Sequence, residues 1–134
     1  MDFIIRTQKR NEILDITDKV KDYIKKNAKS TSKLCIVYVQ HTTASVIINE
    51  NEDPMVCEDI LDFLNKIVPR GIWKNDKSRI CDRDNADAHI KASILGCSIM
   101  VPIANKELQL GQYQNIFFVE LDGPRERKVV VTVI

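Results

Sequence analysis

Little in this sequence announces special chemistry, and each shortage excludes something. It holds two histidines, His41 and His89, so any site that needs imidazole has almost no choice. Its four cysteines, Cys35, Cys57, Cys81 and Cys97, form no Cys-x-x-Cys pair, which excludes a zinc ribbon. Cys35 and Cys97 fall in apolar, strand-like runs, and free thiols in a reducing compartment are the expectation. Cys81 sits among polar residues and is the one cysteine kept as a possible ligand. The net charge is only +1, which argues against a general nucleic-acid or membrane-surface partner. No apolar run approaches the roughly 20 residues of a membrane span. The opening residues, Met1 to Arg6, lack a cationic start followed by a long apolar region, so a cytoplasmic protein is expected.

What is present suits a single globular domain, residues 1–134, with 44% apolar residues to build one core. Strands are expected at Phe3 to Gln8, Glu12 to Ile16, Leu34 to Gln40 and Ala44 to Asn49. The run through Leu34 to Gln40 is nearly continuous in β-branched and apolar residues and reads as a buried strand. Later strands are expected at Cys97 to Ile103, Glu107 to Leu110, Asn115 to Leu121 and Lys128 to Ile134, with Asp122-Gly123-Pro124-Arg125 as the tight turn joining the last two. Helices are expected from Asp18 to Ala28, capped by Thr17, and from Pro54 to Ile67, capped by Asp53. The second should bury Val56, Ile60, Phe63, Leu64 and Ile67. Residues 69–83 form the least regular stretch, a long loop. Strands at hairpin spacing outnumber three helices and do not alternate βαβ, so the fold class is α+β with a mainly antiparallel sheet.

The third helix is the most pointed element. Asp84 can cap it, Asp87 completes an acidic first turn, and Gly96 supplies a left-handed stop. Asn85, His89 and Ser93 recur at helical spacing as a polar stripe, beside a stripe of Ala88, Lys91, Ala92 and Leu95. That arrangement suits a ligand site, and equally a surface histidine on a thin amphipathic helix. Three other polar clusters stand at element ends: His41-Thr42-Thr43, Asn49-Glu50-Asn51, and Gln114 with Glu120 to Arg127. A catalytic zinc site needs three protein ligands. His41 and His89 supply two, with Glu50, Asp76, Cys81 or Glu120 as the third. Two histidines held only by hydrogen bonds are the alternative. Arg125 and Arg127 are expected to project to one face and clamp a phosphate, with Lys91 nearby, unless one pairs with Glu120. No nucleophile elbow and no Cys beside a base support a hydrolytic triad.

Five ordered motifs carry a family resemblance: His41-Thr42-Thr43-Ala44-Ser45; Asn49-Glu50-Asn51-x-Asp53-Pro54; Ala88-His89-Ile90-Lys91-Ala92-Ser93-x-Leu95-Gly96; Leu110-Gly111-x-x-Gln114; and Asp122-Gly123-Pro124-Arg125-x-Arg127. Together they resemble the YjbQ-like family, small proteins credited with a secondary thiamine-phosphate synthase activity. The resemblance implies an antiparallel, β-sandwich-like core assembled as a homotrimer, with sites near subunit boundaries. It puts His41, Asn49, Glu50, His89, Lys91, Gln114, Glu120, Arg125 and Arg127 around the pocket. His41, Glu50 and His89 are then the catalytic candidates, and the other six bind a phosphorylated small molecule. A divalent ion, zinc or magnesium, would sit on His41 and His89. Two positions depart from the family pattern. Many members carry a His shortly after the aromatic matching Trp73, where this chain has Asn75 followed by Asp76. A metal site that used that His would have to turn to Asp76 or Cys81. The usual Trp before Gln114 is Tyr113. A metal-dependent phosphate-ester hydrolase and a non-catalytic binding trimer are the alternatives to the synthase.

Overall fold

The computed structural model describes residues 2–134 apart from Arg79, Cys81 and Asp82, so the expectation for Cys81 lies outside the described residues. Alternating apolar runs build two antiparallel sheets. The larger holds strands β1 (Asp2–Arg6), β3 (Leu34–Val39), β5 (Ser98–Ala104), β6 (Glu107–Leu108) and β8 (Glu126–Val133), in the order β1-β8-β3-β5-β6. The smaller holds β2 (Glu12–Asp15), β4 (Ala44–Asn49) and β7 (Asn115–Glu120), in the order β2-β7-β4. Helices α1 (Thr17–Asn27), α2 (Met55–Ile67) and α3 (Ala86–Leu95) complete an α+β fold. A short 3-10 turn, Lys74–Lys77, interrupts the expected long loop.

The main core lies between the sheets. Val37, Val39, Val129 and Val131 from the larger sheet meet Val46, Ile116 and Phe118 from the smaller one. Helix α1 adds Val20 and Ile24. The opposite face of the smaller sheet, with Val119 of β7, packs on Ala88 and Ala92 of α3. The small residues of that helix stripe let it lie close to the strands, so β7 is buried on both faces. Strand β3 alternates instead of being buried throughout: Cys35, Val37 and Val39 point inward while Tyr38 is 42% exposed.

Several local expectations shift by a residue or a partner. Thr17 is the first residue of α1, and the carboxylate of Asp15 accepts its N–H at 2.9 Å, doing the capping expected of Thr17. Asp53 does cap α2, accepting the Met55 N–H at 2.9 Å. Asp84 does not cap α3. It takes a left-handed φ of 53°, and the Ala86 N–H at the start of α3 goes to Asp76 at 3.1 Å. The Asn105-Lys106 turn between β5 and β6 has positive φ at both residues, as a tight primed hairpin requires.

Helix α2 departs most. Of its expected core stripe only Leu64 is buried; Val56 and Ile60 are half-buried, and Phe63 and Ile67 are exposed. Its amphipathic pattern is real, but this chain offers no sheet for the apolar face to cover. The last turn also behaves otherwise than expected. β7 and β8 belong to different sheets, so residues 121–125 cross between sheets and do not close a hairpin.

Candidate functional site

Three of the connections that cross between the sheets meet: residues 7–11 from β1 to β2, residues 40–43 from β3 to β4, and residues 121–125 from β7 to β8. All three stack at one corner. Thr7 N–H donates to the Arg125 carbonyl at 3.0 Å, Gly123 N–H to the Arg10 carbonyl at 3.0 Å, and Leu121 N–H to the Thr43 carbonyl at 3.2 Å. Gly123 is required by this stacking, because a Cβ there would stand 2.4 Å from the Lys9 carbonyl oxygen.

A buried ion pair locks the corner. Arg127 Nε donates to Glu120 Oε2 at 2.8 Å, and its Nη2 donates to Glu120 Oε1 and to Thr43 Oγ1 at 2.9 Å. Both side chains are essentially inaccessible. Thr7 Oγ1 and the Asp122 N–H donate to the same carboxylate. Removing one partner of such a pair would strand a buried charge, at a cost of about 3–5 kcal/mol. Through Thr43, the pair holds the segment that carries His41.

His41 is fixed by its ring. Its Nε2 accepts the backbone N–H of Lys128 at 2.8 Å, which assigns the proton of the neutral ring to Nδ1. Burial lowers its pKa below 6.5, and the charges of Arg127 and Arg125 push the same way against the opposing effect of Glu120. The ring is therefore a neutral donor near pH 7. His89, on α3, is half-buried, and its ring has no hydrogen-bond partner among the described residues. The Ser45 hydroxyl of β4 donates to the Gly96 carbonyl at the end of α3 and seats this helix on the sheet. His41 and His89 then line one hollow of about 470 Å³, together with Gln40, Thr42, Ser93 and Cys97.

The remaining sequence candidates divide in two. Asn49, Glu50 and Gln114 line a second hollow of about 480 Å³ with Ile48 and Tyr113. There Asn49 Oδ1 accepts the Glu50 N–H and Gln114 Oε1 accepts the Gly111 N–H, each at 2.8 Å, so both amides shape loops. The Glu50 carboxylate has no partner among the described residues. Lys91, Glu120 and Arg127 are buried within the protein. Lys91 Nζ donates to Asp87 at 2.9 Å and to Asn65 of α2 at 2.6 Å, while Arg10 grips Asp87 at 3.0 and 3.3 Å. Burial alone would raise the Asp87 carboxyl; the hydrogen bonds from Arg10 and Lys91 outweigh it and hold the carboxyl below the usual range.

Arg125 and Arg127 do not form a shared clamp. Arg125 precedes β8, so strand alternation does not align the two, and its guanidinium binds the Asp122 carboxylate at 2.8 Å. That carboxylate also receives Arg83 and Asn85, tying the crossing to the start of α3. Sequence reasoning overlooked Arg10, Asp87 and Asp122 as organisers. The spacing of Asp87 to Lys91, one helical turn, was the available signal.

A family model described as UPF0047 protein YjbQ-like matches residues 1–134. The chain belongs to the YjbQ-like UPF0047 family. A UPF0047 protein of Archaeoglobus fulgidus is 45% identical over 98% of each chain. One from Methanocaldococcus jannaschii is 42% identical over 97% of this chain and 90% of its own. Among solved structures, an uncharacterised YjbQ/UPF0047 protein of Clostridium acetobutylicum superposes with a TM-score of 0.91 at 40% identity, covering 100% of this chain and 99% of that one. A protein of unknown function from Sulfolobus solfataricus gives 0.90 at 36% identity, covering 99% and 94%. The YjbQ-like family is uncharacterised, and membership fixes the fold without fixing a reaction.

Among the described residues, the donors of one YjbQ-like chain are not arranged as a resident zinc centre. His41 Nε2 already accepts a backbone N–H, and Asp76 is committed to the N–H groups of Trp73 and Ala86 at 3.0 and 3.1 Å. Glu120 is committed to Arg127. Among the described residues no three His, Cys, Asp or Glu side chains are placed to hold one ion.

Proposed function

We propose that this YjbQ-like chain binds a phosphorylated small molecule at the sheet-crossing corner and acts as a transferase of the secondary thiamine-phosphate synthase kind. The observation that carries the reading is the placement of His41 and His89 on one hollow. In the reaction, the nitrogen of a thiazole phosphate bonds to the methylene carbon of a pyrimidine-methyl diphosphate. The carbon–oxygen bond breaks and pyrophosphate leaves with its electrons. The chain must therefore offer donors to the departing oxygens and keep water away. His41, neutral and fixed, offers Nδ1–H without changing its protonation state. His89, whose ring has no partner among the described residues, can give a proton to the departing pyrophosphate and take one back from water once the product has left. Arg125, partly exposed and held by Asp122, acts on His41 through its charge. A diphosphate brings magnesium with it, so the reading places a divalent ion on the substrate and needs no His-bound metal.

The reading includes a homotrimer. The hollow with Glu50 lies open at the surface, and α2 leaves an apolar face uncovered. A second copy would cover the one and supply walls for the other.

The test supplies pyrimidine-methyl diphosphate with and without thiazole phosphate and measures pyrophosphate and thiamine phosphate. Pyrophosphate release that requires the thiazole phosphate supports the transferase, and His89→Ala should slow it by about 10²–10⁴-fold. Release of orthophosphate without the thiazole partner would point to a hydrolase, and saturable binding without turnover to a binding protein; either sinks the reading.

A further inference from the structure

We infer that the hollow on the far side of His89, against Trp73, takes a flat aromatic ring whose anionic arm reaches past His89 toward His41. His89 lines two hollows, not one. The second, about 460 Å³, is walled by Trp73, Asn75, Ala86 and Ile90, with Lys74 at its edge. Its walls are built, not incidental. Asp76 accepts the Trp73 N–H through Oδ2 and the Ala86 N–H through Oδ1, so one carboxylate sets the spacing between the tryptophan and the first turn of α3. The indole Nε1–H donates to the Pro69 carbonyl at 2.7 Å, which fixes the ring and leaves its faces for contact. Ala86 is small and makes room, and Ile90 supplies an apolar side. An indole face with an aliphatic wall suits a planar ring better than a puckered one. The Asn75 amide can read a heteroatom on the ring's edge. Charge decides the arm. Lys74 lines this hollow, and at the other His41 presents Nδ1–H, its Nε2 being held by the Lys128 N–H, so a ligand that spans His89 meets a cation at one end and a fixed donor at the other.

This inference rests on the anion reading above, and one titration separates the two. Trp73 is the only tryptophan, so emission excited beyond the tyrosine band reports this hollow alone. The probes are phenyl phosphate, cyclohexyl phosphate and inorganic phosphate, each also followed by calorimetry. Phenyl phosphate should change Trp73 emission saturably and bind about three- to tenfold tighter than cyclohexyl phosphate. Trp73→Leu should abolish that preference in calorimetry while inorganic phosphate still binds. Equal binding of the two esters with unchanged emission overturns the ring site and leaves the anion reading standing. No binding of any probe overturns both.

Discussion

At the scale of single residues, the site depends on which ring nitrogen carries a proton. His41 Nε2 accepts from Lys128, so protonation of the ring would set two N–H groups against each other. Its pKa is lowered by burial and by Arg127 and Arg125, while the unfolded chain takes up the proton near 6.5. Below that pH the unfolded state binds more protons, so stability falls as the pH drops through the window beneath 6.5 and is level above it. Urea midpoints measured from about pH 8 down to about pH 5 should decline, and His41→Gln, whose amide oxygen can still accept from Lys128, should decline less. A variant curve parallel to the parent's would refute the assignment. Both histidines were legible in the sequence, because only two exist, His41 just past a strand end and His89 on the polar stripe of α3. The pairing of Arg127 with Glu120 was legible as the alternative to an anion clamp, whereas the role of Lys91 was not. Its charge suggested a ligand; Asp87 stands one helical turn away on the same helix, but Arg10, which completes the buried cluster, is brought in by the crossing from β1 to β2.

At the scale of elements, the chain's turns say less than they promise. Asp122-Gly123-Pro124-Arg125 carries the residues of a tight turn whether the flanking strands pair or part, so local chemistry could not tell a hairpin from a crossing. The strands themselves were legible, since period-two runs set which residues face inward; which sheet each joined was not, because pairing is a long-range property. The close approach at Gly123 gives the crossing a sharp test. A methyl group there meets the Lys9 carbonyl oxygen at 2.4 Å and Glu120 Cγ at 2.7 Å, and one of these is backbone. Gly123→Ala should lower stability by about 1–3 kcal/mol, seen as a lower denaturant midpoint at unchanged slope. A midpoint equal to the parent's would mean the crossings can separate without cost.

At the scale of the whole molecule, α2 is the element left over. Met55, Phe63 and Ile67 expose 65%, 59% and 48% of their surfaces along one helix. The sequence pattern marked this face as core, but among the described residues nothing covers Phe63 and Ile67. The trimer proposed above should sediment at three times the 15.4 kDa of the chain. Phe63→Lys with Ile67→Lys should shift it toward the monomer while circular dichroism stays unchanged. A parent protein that sediments as a monomer at micromolar concentration would remove both the trimer and the shared site. The corner itself has a different fate from that peripheral helix. The amides of Thr7, Leu121 and Gly123 are donors that bridge separate crossings, so none can be released by fraying the end of one element. Their deuterium uptake has to wait until the two sheets part, which makes the clock for these three protons that of global unfolding. The imidazole of His41 takes its hydrogen bond from the Lys128 amide of β8 beside this corner, so its orientation should last as long as the corner does.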